Sequence, residues 1–429
     1  MGSGARQGRT GATGRARTCP PRRYNRSILA GLEGEAIGAA GIDPDDELIC
    51  LGHGEDPLEM GGAMAPPIVQ TSLFAQESLD ELAASLSSES RRHVYTRGQN
   101  PTVEAVEAKL ARLERGEACK VFGSGMAAVG AVLFGLLSAG DRVLFVNQIY
   151  GPTLQLARRL ERFGVSHDVL LDVEPGAIEA ALTPETRVIW LESPGTMTFR
   201  VLDVAAVAEL ARRRGILTVM DNSWSTPLFQ KPLTTGVDLI VHSATKYLAG
   251  HSDLVAGAMV GSRELVERIF YDAYLLLGGI LGPFDAWLLN RGIRTLPERM
   301  RRHHASAMAI ARRLRDHARV RRVFHPALET GDGELVARQL TGFSGLFSFE
   351  LDSDDYREVA AVVDALRRFR IGVSWGGVES LVLSPCRAEN REALAQAGIP
   401  YSTIRLSIGL EPVEVLLDDL TAALAASPG

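Results

Sequence analysis

The sequence predicts an α/β protein: a mostly parallel seven-stranded sheet with helices on both faces, followed by a smaller C-terminal α+β domain. Three observations carry this. Between residues 119 and 260, seven short apolar runs alternate with helix-length stretches, the pattern of βαβ units. Several of those runs empty into short polar or glycine-rich turns, as strands do where a parallel sheet opens to a ligand. After about residue 283 the character changes to a long Arg- and Ala-rich helix and then strands separated by single helices. A chain of 429 residues is too long for one small core.

The predicted strands are 120–122, 143–146, 168–171, 188–191, 217–220, 239–241 and 255–260, with helices at 127–137, 153–163 and 204–213 between them. Ahead of them, residues 31–94 are punctuated by Gly and Pro and hold one helical pattern, 79–86. Thr102 is placed to cap a helix over 103–113, where Val103, Val106, Leu110 and Leu113 recur at helical spacing. Beyond residue 286 we expect a helix from 297 to about 317, a strand at 345–351, a helix at 356–369, short segments around Val373 and 381–383, a strand at 404–408 and a last helix at 413–425. The resulting division is a disordered basic extension (1–47), an arm (48–100), a large domain (101–285) and a small domain (286–429).

Net charge is −6, which implies neither a nucleic-acid partner nor an anionic membrane surface, and no apolar run approaches the length of a membrane span. The charge is uneven. Residues 1–30 carry seven arginines and no acid, so the remainder stands at −13. That Gly/Arg/Thr head cannot pack a core. Cys19, Cys50, Cys119 and Cys386 lie far apart with no metal-ligand spacing, which fits a reducing cytoplasm and no metal centre.

Chemistry concentrates at the strand ends. After 239–241 comes Ser243-Ala244-Thr245 and then Lys246, a lysine on a turn between two buried strands, where it either meets a partner or serves as an amine of lowered pKa. Alone it also reads as an ordinary loop lysine. After 120–122 comes Gly123-Ser124-Gly125-Met126 and an Ala-rich helix, the shape of a phosphate cradle or of a tight strand-to-helix turn. Tyr150 follows the second strand, Glu192 the fourth and Asp221 the fifth. A carboxylate ending a buried strand is costly unless it meets a cation or donor. Together these groups suit one ligand with a phosphate, a flat ring, a basic ring nitrogen and an aldehyde, and pyridoxal 5′-phosphate (PLP) meets all four demands.

The chain resembles the Cys/Met metabolism family of PLP-dependent enzymes, of fold type I. The residues that carry the resemblance are Tyr95-Thr96-Arg97 with Asn100-Pro101-Thr102, Gly123 to Met126, Asp221 to Trp224, Ser243 to Ser252, Gly376 to Ser380 and Ile404 to Glu411. By this resemblance Lys246 is the Schiff-base lysine, Asp221 the partner of the ring nitrogen and Tyr150 the stacking ring. Ser124, Gly125, Met126, Ser243 and Thr245 form the phosphate site. Tyr95 and Arg97 reach the phosphate of a neighbouring subunit, which implies a homo-oligomer, a tetramer built from dimers. Arg405 binds the α-carboxylate of an amino-acid substrate, and Ser374 and Trp375 line its pocket.

Three places resemble the cystathionine β-lyase branch: Glu192 to Thr198, Tyr150-Gly151-Pro152 and Ser374-Trp375. Val373 stands where several γ-type enzymes have glutamate. Gly282 to Trp287 and Gly376 to Ser380 resemble the γ-synthase and γ-lyase branch instead. The expected activity is a PLP-dependent carbon–sulfur β-lyase acting on cystathionine or a related thioether amino acid, with Lys246, Tyr150 and Asp221 as catalytic residues. The alternative on the same scaffold is γ-elimination or γ-replacement. A nicotinamide-dependent dehydrogenase is a third reading, although the glycine loop lacks the dinucleotide fingerprint.

Overall fold

The computed structural model describes residues 41–52, 55–58, 60–328 and 333–426. Its large sheet contains β1 (Ala118–Phe122), β2 (Arg142–Val146), β3 (Ser166–Leu170), β4 (Thr186–Glu192), β5 (Leu217–Asp221), β6 (Leu239–His242) and β7 (Gly257–Gly261), in the spatial order β1-β7-β6-β5-β4-β2-β3. Each of the seven predicted runs is a strand, with ends displaced by a residue or two. Strand β7 alone is antiparallel to its neighbours, β1 and β6. Because β1 and β6 both oppose it, β1 points the same way as the parallel set β6, β5, β4, β2 and β3. The carboxyl ends of these strands therefore open on one edge.

The central strands are buried on both faces, which is why they read as continuous apolar runs. One face packs the helices Pro101–Glu114 and Val204–Arg214 through Val106, Leu110, Val207 and Leu210. The other packs Gly125–Leu136 and Gly151–Leu160 through Val129, Val132, Ala157 and Leu160. At the edge, β3 is largely half-buried.

The second sheet has the order β10-β11-β12-β9-β8, with β8 Val320–Phe324, β9 Leu346–Leu351, β10 Arg370–Ile371, β11 Leu381–Leu383 and β12 Thr403–Ser407. It shares a core with the helices Leu296–Arg315, Tyr356–Ala365 and Val413–Ala426. Here the structure corrects the sequence reading twice. Strand β8 was not expected, and the strand-like segment expected around Val373 is β10, three residues earlier, with Val373 itself 83% exposed.

Two further corrections concern the arm. The cap of the helix Pro101–Glu114 is Asn100, not Thr102: the Asn100 side chain accepts from the Thr102 N–H at 3.0 Å, and Pro101 takes the first helical position, where its fixed φ fits and no N–H is needed. Thr102 instead accepts from the Val69 N–H at 2.8 Å and donates to the Pro67 carbonyl at 3.0 Å, fastening the arm. The fold also begins earlier than residue 48. A helix, Pro44–Leu51, is capped by Asp43, and its buried Asp46 pairs with Arg115 at 2.8 Å and Lys231 at 2.6 Å. The arginine-rich head lies outside the described residues. No helix among the described residues is long and apolar enough to cross a membrane.

Beneath the open edge lies a buried polar knot. Glu114 Oε1 is shared by His242 Nε2 at 2.6 Å and Asn222 Nδ2 at 2.9 Å, and none of the three side chains reaches solvent. It ties the ends of β5 and β6 to the helix Pro101–Glu114. Glu114→Ala orphans two buried polar groups, so we expect a loss of about 2–4 kcal/mol in chemical denaturation. A loss below about 1 kcal/mol would show that the knot is dispensable.

Candidate active site

Residues at the carboxyl ends of the large sheet's strands come together around one space. Asn147, after β2, adopts φ +77°, and its amide donates to the carbonyls of Glu192 at 2.8 Å and Arg200 at 2.9 Å. That turn delivers Tyr150, whose ring is half exposed and whose N–H donates to Glu192 Oε1 at 2.7 Å. After β1, the Ser124 hydroxyl caps the helix Gly125–Leu136 by accepting from the Ala127 N–H at 3.0 Å. After β5, Asp221 accepts from the Ser223 N–H at 2.9 Å, and the Ser223 hydroxyl in turn accepts from the Ser243 N–H at 2.6 Å.

Glycine makes this convergence possible at two points. A Cβ on Gly257 would lie 2.2 Å from the Ser124 carbonyl oxygen, and one on Gly125 would lie 3.0 Å from Ser243 Cβ and Oγ. The loops after β1 and β6 thus pack backbone against backbone. They enclose a cavity of roughly 180 Å³ lined by Ser124, Gly125, Met126, Ser243 and Thr245. Thr245 also staples its own turn, donating to the Ala256 carbonyl at 3.1 Å and accepting from the Ala256 N–H at 2.9 Å.

Tyr150, Asp221, Ser243 and Lys246 are common to this space and to a larger one of roughly 380 Å³. The larger space is closed from the second sheet by Ser374, Trp375 and Arg405, so every site residue expected from the two domains lines one cavity or the other. Lys246 Nζ donates to Ser374 Oγ at 2.9 Å and lies 5.6 Å above the Trp375 ring. Arg405, on β12, is 6% exposed and donates to the Val373 carbonyl at 3.2 Å. No carboxylate pairs with it among the described residues.

Tyr95 and Arg97 are not brought to this site. They line neither cavity, and the Arg97 guanidinium lies 5.6 Å over the half-exposed Tyr95 ring. Conversely, Met197, Trp224 and Leu346 line the larger cavity without having been expected there. Glu192, a strand-end carboxylate in the sequence, also lines the larger cavity. Its register partner on β5 is Asp221, and the two acids flank the same cavity.

The electrostatics follow from burial. Burial, and then the Arg405 charge, hold the Lys246 amine below the usual lysine range, while Asp221 pulls the other way. Burial likewise lowers Arg405 to about 10. Burial raises Asp221 against hydrogen bonds from Ser223 and the nearby His242 and Lys246, and it raises Glu192 further, with the Asp221 charge adding to the effect.

The family model for Cys/Met metabolism PLP-dependent enzymes matches residues 47–425. The chain belongs to that family. Among its relatives, the L-methionine gamma-lyase of Pseudomonas putida is 41% identical over 87% of this chain and 96% of its own length. The cystathionine beta-lyase of Lactococcus lactis subsp. cremoris is 38% identical over 85% of this chain and 94% of its own. The crystal structure of cystathionine gamma synthase from Xanthomonas oryzae pv. oryzae, in complex with aminoacrylate and cysteine, superposes with a TM-score of 0.82 at 37% identity, covering 89% of this chain and 97% of that one. The fold is that of the PLP-dependent type I enzymes, and membership implies PLP as cofactor. The residues present fit that group: the glycine cradle leaves room for an anion at a helix N-terminus, and a partly buried carboxylate and a partly buried amine face the same space.

Two outcomes are expected. Gly257→Ala forces Ser124 to move, so it lowers PLP affinity in equilibrium dialysis and destabilises the fold by about 1–3 kcal/mol. Gly130→Ala, whose added Cβ would find its nearest neighbour at 3.9 Å, is neutral or stabilising in the same assays. The second concerns charge. A lowered pKa raises the neutral fraction of an amine at a given pH, so in cofactor-free protein Lys246 should be acetylated faster near pH 7 than surface lysines of equal access. Arg405→Gln removes a like charge, raises the Lys246 pKa and moves that labelling profile to higher pH. An unmoved profile would mean that Arg405 does not tune the amine.

Proposed function

We propose that the protein is a PLP-dependent carbon–sulfur β-lyase acting on cystathionine or a related thioether amino acid. The observation that carries the PLP-dependent lyase part of this reading is the pairing, in one cavity, of a lysine amine held below its usual pKa with a buried guanidinium that pairs with no carboxylate among the described residues. Such a guanidinium suits the bidentate recognition of a substrate α-carboxylate.

In this reading the amides after Ser124 and the Ser243 and Thr245 hydroxyls hold the phosphate, Tyr150 covers the ring, and Asp221 faces the ring nitrogen. Tyr95 and Arg97 serve the site of a neighbouring subunit, which makes the enzyme a homo-oligomer. When bound, PLP supplies an aldehyde for amine exchange and a ring that stores the electrons released at the substrate Cα. The residues do the rest. Arg405 fixes the carboxylate and so aims the Cα–H bond. Lys246, parked on Ser374, takes the α-proton. Loss of the thiolate from Cβ, followed by addition of water, divides cystathionine into homocysteine, pyruvate and ammonia.

A γ-elimination requires a second proton to be moved from Cβ, and therefore a base that travels. The Ser374 bond and the Trp375 ring over Lys246 favour a base with one short path, which supports the β reading. The γ reading draws on the methionine γ-lyase and cystathionine γ-synthase relatives. Incubation of the purified enzyme with cystathionine separates them: pyruvate with homocysteine is expected, and 2-oxobutyrate with cysteine as the main products would sink the β-lyase assignment.

A further inference from the structure

Gln148, two residues before Tyr150, is buried at the seam between the two sheets. Its amide is fully used. Nε2 donates to the carbonyls of Ala397 at 3.2 Å and Gly398 at 3.0 Å, and Oε1 accepts from the Thr198 N–H and hydroxyl, both at 2.8 Å. Two donors and two acceptor positions are all that a primary amide has. The Gln148 carbonyl also accepts from the Thr196 N–H at 3.2 Å. On one side, then, Gln148 holds the loop after β4, which gives Thr196 and Met197 to the wall of the larger cavity. On the other it holds the residues just past the helix Arg391–Gln396, in the connection between β11 and β12. Those strands give Leu383 and Arg405 to the opposite wall.

We infer that Gln148 is a positioning residue for substrate selectivity: one side chain sets the distance between the Thr196–Met197 wall and the wall built on the second sheet. It touches neither cavity, so it acts only through the segments it joins. Nothing apolar can replace it, because the buried Thr198 N–H and hydroxyl would lose their shared acceptor and the exposed turn at Ala397 and Gly398 would lose the donor that tethers it. Glutamate would be worse than alanine, since it sets a carboxylate oxygen against two carbonyl oxygens. A widened cleft costs a compact substrate more than a bulky one, which can still span it.

The selectivity part of this inference rests on the lyase reading, whereas the linkage part does not, and the test keeps them apart. Hydrogen exchange is measured on holoenzyme for wild type, Gln148→Ala, Gln148→Glu and the milder Thr198→Val, alongside keto-acid kinetics with cystathionine and S-methylcysteine. In Gln148→Ala, segments 196–199 and 397–399 should lose protection together, with a larger loss in Gln148→Glu. KM for S-methylcysteine should rise about tenfold while kcat stays within about threefold, and KM for cystathionine should move less. Thr198→Val should shift both in the same direction by a smaller factor. Loosening of 196–199 alone overturns the linkage. Joint loosening with unchanged KM values, or with kcat falling as much for both substrates, overturns the selectivity role. Should wild type turn over neither thioether, the lyase reading fails while the exchange result still decides the linkage.

Discussion

The site depends on an unbalanced pairing of buried and partly buried charges. Lys246 and Arg405 are the cations of the larger cavity, and Asp221 and Glu192 its acids. The two acids are side by side on adjacent parallel strands, about 5 Å apart in such a sheet, where like charges in a dry setting do not both ionise readily. Arg405 pairs with no acid among the described residues and repels a protonated Lys246. A carboxylate drawn to Arg405 would cancel that repulsion. In the proposed reading, an empty carboxylate site would favour the neutral, nucleophilic amine that captures the cofactor aldehyde, and a filled one would make Lys246 the stronger base that proton abstraction needs.

Holding such charges requires a rigid frame, and the frame is the row of strand ends. Glu192 and Asp221 end their strands, Arg405 lies within β12, and Ser124, Tyr150, Ser243, Thr245 and Lys246 follow a buried strand by one to four residues, so the sheets fix where these groups stand. Tyr150 is locked by Glu192, and Glu192 by its strand. Ser243 is held by Ser223, and Ser223 turns on Asp221. Glu114 binds the ends of β5 and β6 through His242 and Asn222. None of the three residues of the knot lines either cavity, so the knot braces the two strand ends without occupying the site.

Most of this frame was legible in the sequence because doubly buried strands leave no choice but continuous apolar residues. What the sequence hid was hidden by mixed signals. In β8 two adjacent arginines break the apolar alternation, and they are tolerated because Arg321 pairs with Glu350 and Asp352. Thr102 resembled a cap because it precedes the apolar periodicity, but Pro101 moved the helix start. Asp46 carries no periodic signal, since its partners Arg115 and Lys231 are remote in the chain. Lys246, Asp221 and Arg405 stand out in the sequence as candidate site residues, and they line one cavity, each a charged residue placed where a charge is costly. Gln148 was not readable: an uncharged amide in a turn looks like any loop residue until its four partners are seen.

The family relationship leaves the reaction type open for a physical reason. A methionine γ-lyase, a cystathionine β-lyase and a cystathionine γ-synthase stand at 41%, 38% and 37% identity to this chain. Amine exchange, carboxylate recognition and electron storage are needed by all three reactions, so the groups that perform them do not discriminate. Discrimination has to come from how far the base can travel and how closely the cavity walls hold the leaving group. In this chain those walls are Met197 on one side and Trp375 with Leu383 on the other, carried by different sheets. Selectivity is therefore a property of the seam between the sheets more than of the catalytic groups, and the contacts that fix the seam count for as much as the residues that line the cleft.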